Sequence, residues 1–255
     1  FFIDNTARPH VTGTDYLYRK LTVGDVVYRD YDGYVLQEGV FGQAEYTLDK
    51  LNAFVAGSVS NTSYWRYDRF YYDPAEAASE KVNYLGYTFK GGANYNMDQY
   101  QNVFANVGII SRAPFYSGGA FLQSATSNMT NPNAVNEKCF SMELGYGLRT
   151  KWFAANLNAY RTRWMDKTMV RAMNADSPES LIINMEGLDA LHQGVEFDFK
   201  STPARNLEVT GMLSLGDWRW ASNPTGYLYN RQGQPVDLQG GVVEMLGPDH
   251  ANMTV

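Results

Sequence analysis

The chain has 255 residues, 44% hydrophobic and 15% aromatic, with only 19% charged and a net charge of −6. The acidic balance, with a pI of about 5.1, argues against a nucleic-acid partner, because phosphate binding needs a basic face. No run of apolar side chains is longer than Ala53-Phe54-Val55-Ala56 or Trp152-Phe153-Ala154-Ala155. That excludes a membrane-spanning helix, which needs roughly 18 or more apolar residues, and an uncleaved signal peptide, whose apolar core needs about 7–15. Apolar content divided this finely points to strands.

In chain order, the first tight-turn candidate is Asp49-Lys50. An aromatic cluster follows (Tyr64, Trp65, Tyr67, Phe70, Tyr71, Tyr72) and rises into a long connection over 73–81. Leu85, Tyr87 and Phe89 then alternate with Gly86, Thr88 and Lys90, the period of a strand with one apolar face. Gly91-Gly92 lies inside this strand pattern, so relief of crowding or a bend is expected there rather than a phosphate loop. Met97-Asp98 is the second turn candidate, and 114–136 the second long connection, with Phe115 and Tyr116 near its start. Phe140, Met142, Leu144, Tyr146 and Leu148 oppose Ser141, Glu143, Gly145, Gly147 and Arg149. After the turn at Thr150-Lys151 and a long connection over 174–180, Val195, Phe197 and Phe199 oppose Glu196, Asp198 and Lys200. The turn at 203–206 leads to Leu207, Val209, Gly211, Leu213 and Leu215, opposed by Glu208 and its even-numbered neighbours, and 221–241 reads as a last long connection.

Short and long connections thus alternate, and the short ones recur about every 50 residues. The pattern predicts eight to ten strands, several longer than the usual 5–6 residues. The fold class this implies is all-β: an antiparallel up-and-down transmembrane β-barrel with short periplasmic turns and long extracellular loops. Hydrocarbon offers backbone groups no partners, so strands must pair all round and turn apolar side chains to lipid. Lys90, Glu143, Arg149, Glu196 and Glu208 are then expected in the lumen. Tyr46, Tyr95, Trp152, Trp164, Trp218 and Trp220 would form interfacial girdles. A soluble sandwich shares the alternation but needs Greek-key crossings that spoil the order of connections.

No catalytic constellation is visible, and the chain is not expected to be an enzyme or to hold a cofactor. His10, His192 and His250 have no metal-ligand spacing, and Cys139, the single cysteine, is expected to pack rather than react. Candidate ligand-binding residues are the loop aromatics Tyr64, Trp65, Tyr67, Tyr71, Tyr72, Phe115 and Tyr116, whose rings could stack on a sugar or an apolar ligand. Their alternative role is an interfacial girdle and self-packed loops.

Particular strings add to the pattern. Tyr34 to Tyr46 (YVLQEGVFGQAEY) with Leu48-Asp49-Lys50-Leu51, Phe89 to Tyr95 followed by Asn102 to Gly108, and Ser111 to Phe115 form one set. Asn136-Glu137-Lys138, Met142 to Tyr146, Asn158 to Thr162, Trp164 to Lys167 and His192 to Glu196 form another. Together, over about residues 24–220, they resemble barrel strands of TonB-dependent outer-membrane receptors, particularly those of Bacteroidetes. The resemblance implies a roughly 22-stranded barrel enclosing a plug domain, in the outer membrane of a Gram-negative bacterium. It implies import of a ferric siderophore, haem, cobalamin or glycan, driven by TonB acting on the plug. Its implied partners are outer-membrane lipid, the plug, TonB through the plug and, in the glycan-importing branch, a surface lipoprotein. With no plug, TonB box or aromatic C-terminal strand recognisable, residues 1–255 are expected to be a middle-to-late segment of a single barrel domain. The rival expectations are a small complete barrel acting as a passive channel or adhesin, and a soluble glycan-binding β-domain.

Overall fold

The computed structural model describes residues 2–3, 19–20, 23–24, 26, 29–122, 127–173, 181–230, 236 and 242–244. Two short strands, β1 (Phe2–Ile3) and β2 (Arg19–Lys20), pair with each other. The body is one antiparallel sheet of long strands: β3 (Tyr31–Leu48), β4 (Leu51–Asp68), β5 (Val82–Asn96), β6 (Gln101–Arg112) and β7 (Glu137–Arg149). It continues through β8 (Phe153–Met173), β9 (Leu181–Ala204), β10 (Leu207–Trp220), β11 (Thr225–Tyr229) and β12 (Val242–Glu244). From β3 to β9 each strand pairs with the next in sequence, as the spacing of turns predicts. The short turns fall at Asp49-Lys50, 97–100, 150–152 and 205–206, and the connections over 69–81 and 113–136 lie at the opposite end. The connection expected over 174–180 lies outside the described residues.

One expectation is corrected. Residues 221–241 are not simply a loop, because β10 and β11 share the same edge of β9 end to end. Trp220 stands opposite Ala190, and Thr225 opposite Glu186, so the two are halves of one line of pairing. The break falls at 221–224, where Pro224 has no amide proton to give a ladder. The Ser222 hydroxyl fills it, accepting from the Asp189 amide (2.7 Å) and donating to the Gly187 carbonyl (2.6 Å).

Residues directly opposite in an antiparallel ladder project from the same side of the sheet, so the register sorts side chains into two faces. One carries Val40, Val55, Phe89, Val107, Leu144, Leu157, Val195 and Leu213. It is exposed: Val40 is 74%, Leu85 69% and Leu144 62% accessible, and no second sheet covers it among the described residues. Along β7 this apolar face runs from Phe140 to Leu148. About eight steps of roughly 3.3 Å, tilted by about 35–45°, make a band on the order of 20 Å tall, close to the apolar band of an outer-membrane barrel.

The other face is mostly polar or small, with Phe41, Phe54, Phe104, Ile110 and Met212 as its large apolar side chains. Phe54 lies over Gly92 and Phe104 over Gly145, where a Cβ would strike the ring, so Gly92 relieves crowding as the sequence suggests. Among the described residues the buried clusters lie at the long-loop end, outside the band: Tyr64, Ala120 and Phe121; Leu122, Ile182 and Tyr229; and Ile183, Met185, Leu188 and Leu228.

Candidate functional site: the polar face and its cap

All five charged residues expected to line a lumen lie on the polar face. Glu143 stands opposite Asn106, which stands opposite Gly92, two residues from Lys90 on the same side. Arg149 follows Glu143 in phase along β7. Glu196 is reached through Asn158, in phase with the Tyr160 that stands opposite Glu143. Glu208 meets Lys200 at 2.8 Å on that side. The register brings them to one face without bringing them together as a cluster.

Asparagines fill the space between them. Asn102 donates to Asn94 (2.6 Å) and Asn94 to Asn96 (3.1 Å), while Asn156 donates to Asp198 (2.9 Å). Asn106 reaches Glu143 at 3.5 Å, at the limit of a hydrogen bond. A recess of about 560 Å³ opens here, lined by the polar side chains of Gln43, Glu45, Asn52, Asn94 and Asn106 together with the rings of Phe54 and Phe104. The sequence reading passed over these amides. Their signal was available in phase: Asn94, Asn102 and Asn106 occupy the same alternate positions as Lys90 and Glu143. An amide wall of this kind offers both donors and acceptors to whatever packs on it.

At the long-loop end, residues 113–122 and 127–131 fold back onto the polar face. The Tyr64 hydroxyl donates to the Pro114 carbonyl (3.0 Å), and its ring meets Tyr84 and Tyr116 at 5.9 and 5.6 Å. Tyr116 lies against Gly33, and burial pushes its phenol up to about 12. Phe121 is fully buried, and Leu122 reaches across to Ile182 and Tyr229. Below them Arg66 and Asp68 form a buried pair at 2.5 Å, with Arg66 also donating to the Ser127 carbonyl and lying 4.3 Å from the centre of the Tyr31 ring. Tyr72 accepts from the Asn128 amide (2.9 Å), and the Asn128 side chain donates to the Glu76 and Ala77 carbonyls (3.1 and 3.0 Å). The two loops are therefore fastened to each other and to the sheet.

The seven aromatic ligand candidates are divided by this arrangement. Tyr64 and Tyr116 are packed inside the cap. Trp65 and Tyr67 project from the apolar side of β4, where Trp65 stacks on Tyr34 at 5.2 Å and Arg69 covers Tyr67. Tyr71 meets Phe70 edge-on at 4.9 Å, and Tyr72 is tied to the second loop. Phe115 is the exposed one, 53% accessible beneath the Arg112 guanidinium.

The expected girdle is also corrected. Tyr46 and Tyr95 do lie on the apolar face near the short turns. Trp164, Trp218 and Trp220 instead lie on the polar face. There Trp218 donates to the Tyr160 hydroxyl (2.9 Å), while charged Arg163 and Arg219 take the outward places. Cys139 is a free, half-buried thiol opposite Trp164.

An exposed apolar face backed by a polar, amide-lined one, in a meander with connections short at one end and long at the other, is the pattern of an outer-membrane barrel wall. No curated protein matches the chain. A family described as TonB dependent receptor-like, beta-barrel, matches residues 4–250, and the chain belongs to that family.

Proposed function

We propose that this chain is barrel wall of an outer-membrane receptor, of the type found in Bacteroidetes, that imports a scarce ligand with energy supplied through TonB. The barrel is of about 22 strands and encloses a plug. The ligand class is a ferric siderophore, haem, cobalamin or a glycan, the last with a surface lipoprotein as cap. Its work is binding and translocation rather than covalent chemistry. The apolar face anchors the wall in lipid, the cap narrows the mouth, and the polar face cradles the plug.

One observation carries the reading: five charged residues from four strands, with asparagines between them, share one face, opposite a mainly apolar one. A plug that must be held yet moved suits such a wall, because amide and carboxylate contacts exchange with water at small net cost. The test is charge reversal at Glu143 and Glu196 in the full-length receptor, with ion conductance measured in planar bilayers. Conductance rises in the double variant if these residues hold the plug. Unchanged conductance contradicts that role.

A further inference from the structure

We propose that the recess between Phe54 and Phe104 is an inner binding site for a neutral saccharide, set on the wall near the short-turn end and far from the capped mouth. The proposal rests on the import reading above, narrows its ligand class to a glycan and adds a second station on the ligand's path.

Two neighbouring rows of the register build the site. One runs Glu45, Phe54, Gly92 and Asn106 across β3 to β6; the next runs Thr47, Asn52, Asn94 and Phe104, and ends on Gly145 of β7. Each ring leans onto a glycine of the strand beside it, Phe54 onto Gly92 and Phe104 onto Gly145, where a Cβ would strike the ring. Backbone thus supports one side of each ring, and the other side faces the recess, where Phe54 stays 37% accessible. Tyr64 of the cap lies ten residues further along β4. At the rise of a strand that is about 33 Å, so the recess is separate from the mouth.

The polar groups around the rings keep hydrogen-bonding capacity. Asn52 makes no side-chain hydrogen bond among the described residues, and Asn106 makes only the long contact to Glu143 at 3.5 Å. Gln43 donates to one oxygen of Glu45 at 2.6 Å and leaves the other open. Asn94 is engaged by Asn102 and Asn96 and steadies its row. No lysine, arginine or histidine lines the recess among the described residues. A second recess of about 400 Å³ adjoins it across Phe54 and Asn106, and there Lys90 is accompanied by Glu143. Neither recess therefore offers a net positive charge.

A pyranose carries hydroxyls around its rim and C–H groups on its two faces. The C–H faces suit the rings of Phe54 and Phe104. The hydroxyls both donate and accept, as the Asn52 and Asn106 amides do, and the open Glu45 oxygen accepts. The volume of about 560 Å³ falls within the range of small-ligand sites, about 300–1,000 Å³. An anionic ligand would meet Glu45 with no cation in the recess to offset it. A packed plug segment has most of its backbone groups already paired within its own fold. A saccharide has free hydroxyls all round, which is why it is the occupant assigned.

The test is saturation-transfer NMR on the full-length receptor in detergent micelles, offered maltotriose, cellotriose and mannotriose in turn, with citrate as the anionic competitor. At least one trisaccharide should receive saturation on its ring protons. Its dissociation constant should rise about tenfold in F54L/F104L, which keeps apolar volume over the glycines without an aromatic face. Phe41→Leu, a ring on the same face outside the recess, should leave the constant unchanged. In a Thr47→Cys/Cys139→Ser receptor the same sugar should slow labelling of the recess thiol by a water-soluble maleimide. A thiol that is unreactive without sugar assigns the recess to the plug and overturns the proposal. No transfer to any of the trisaccharides, an unchanged constant in F54L/F104L, or displacement by citrate would each overturn it as well. Absence of the receptor from the outer-membrane fraction would overturn the barrel reading on which it rests. Correct insertion with sugar affinity indifferent to F54L/F104L overturns the recess alone.

Discussion

Asp68 holds three groups at once. Its carboxylate meets Arg66 at 2.5 Å and accepts the Phe70 and Tyr71 amides, each at 2.8 Å. It thereby neutralises a buried guanidinium and starts the turn that carries the first long loop away from the sheet. Asp68→Ala leaves Arg66 without its counter-charge and should cost about 3–5 kcal/mol, the scale for breaking a buried pair. Hydrogen exchange over residues 66–80 should quicken while exchange in β3 below Gly39 stays unchanged. Glu186, at the same end of the molecule beyond the band, carries a pH dependence. Burial raises its pKa above the ordinary 4.5, against the opposing donation of Asn131 and Asn184. A carboxyl raised on folding favours the protonated state, so its stabilisation is full below 4.5 and is lost as pH rises through the raised value. Protection of residues 182–186 from exchange should fall across that window, and Glu186→Gln should flatten the dependence. A slope that survives the substitution assigns the titration elsewhere.

At the scale of the strand, adjacent residues face different media. Leu144 lies midway along the apolar stretch of β7, and Glu143 beside it lies on the polar face. An arginine at Leu144 enters lipid near the midplane and should cost about 2–4 kcal/mol. Glu143→Arg should cost less, because the residue lies on the polar face beside Asn106. Refolding of the full-length protein into lipid vesicles under urea separates the two, and equal costs contradict the assignment of faces. The strands were legible because alternation is a local signal. β7, β10 and the lower half of β9 fall where Phe140 to Leu148, Leu207 to Leu215 and Val195 to Phe199 alternate. The upper half of β9 was not legible. Ile182 is buried against Leu122 and Tyr229, and Ile183, Met185 and Leu188 against Leu228, so both faces are covered there and the alternation is lost. Nor did the sequence show that β11 continues β10. That depends on the Ser222 bridge across to Gly187 and Asp189, a contact between residues more than 30 apart in sequence.

At the scale of the whole molecule, two environments are built into one sheet. Among the described residues the band has almost no buried core of its own, as the proposed barrel wall would, with lipid on one side and polar contents on the other. The capped end is packed like a water-soluble domain, with buried aromatics, a buried ion pair and loops tied by side-chain amides. This division explains why the candidate site was only partly legible. Charged residues facing one way follow from period two alone. Whether an aromatic such as Tyr64 meets ligand or loop depends on how residues 113–122 fold back, which no local pattern encodes.

The central claim is that even positions on β7 face lipid and odd positions face the plug. Spin labels placed singly at 140, 142, 144, 146 and 148, and at 141, 143 and 149, in a Cys139→Ser full-length receptor in native membranes, test it by collision with oxygen and with a water-soluble nickel complex. The predicted result is a period of two, with even positions favouring oxygen and odd positions shielded from it. Uniform accessibility along the strand, or the opposite phase, would contradict the account.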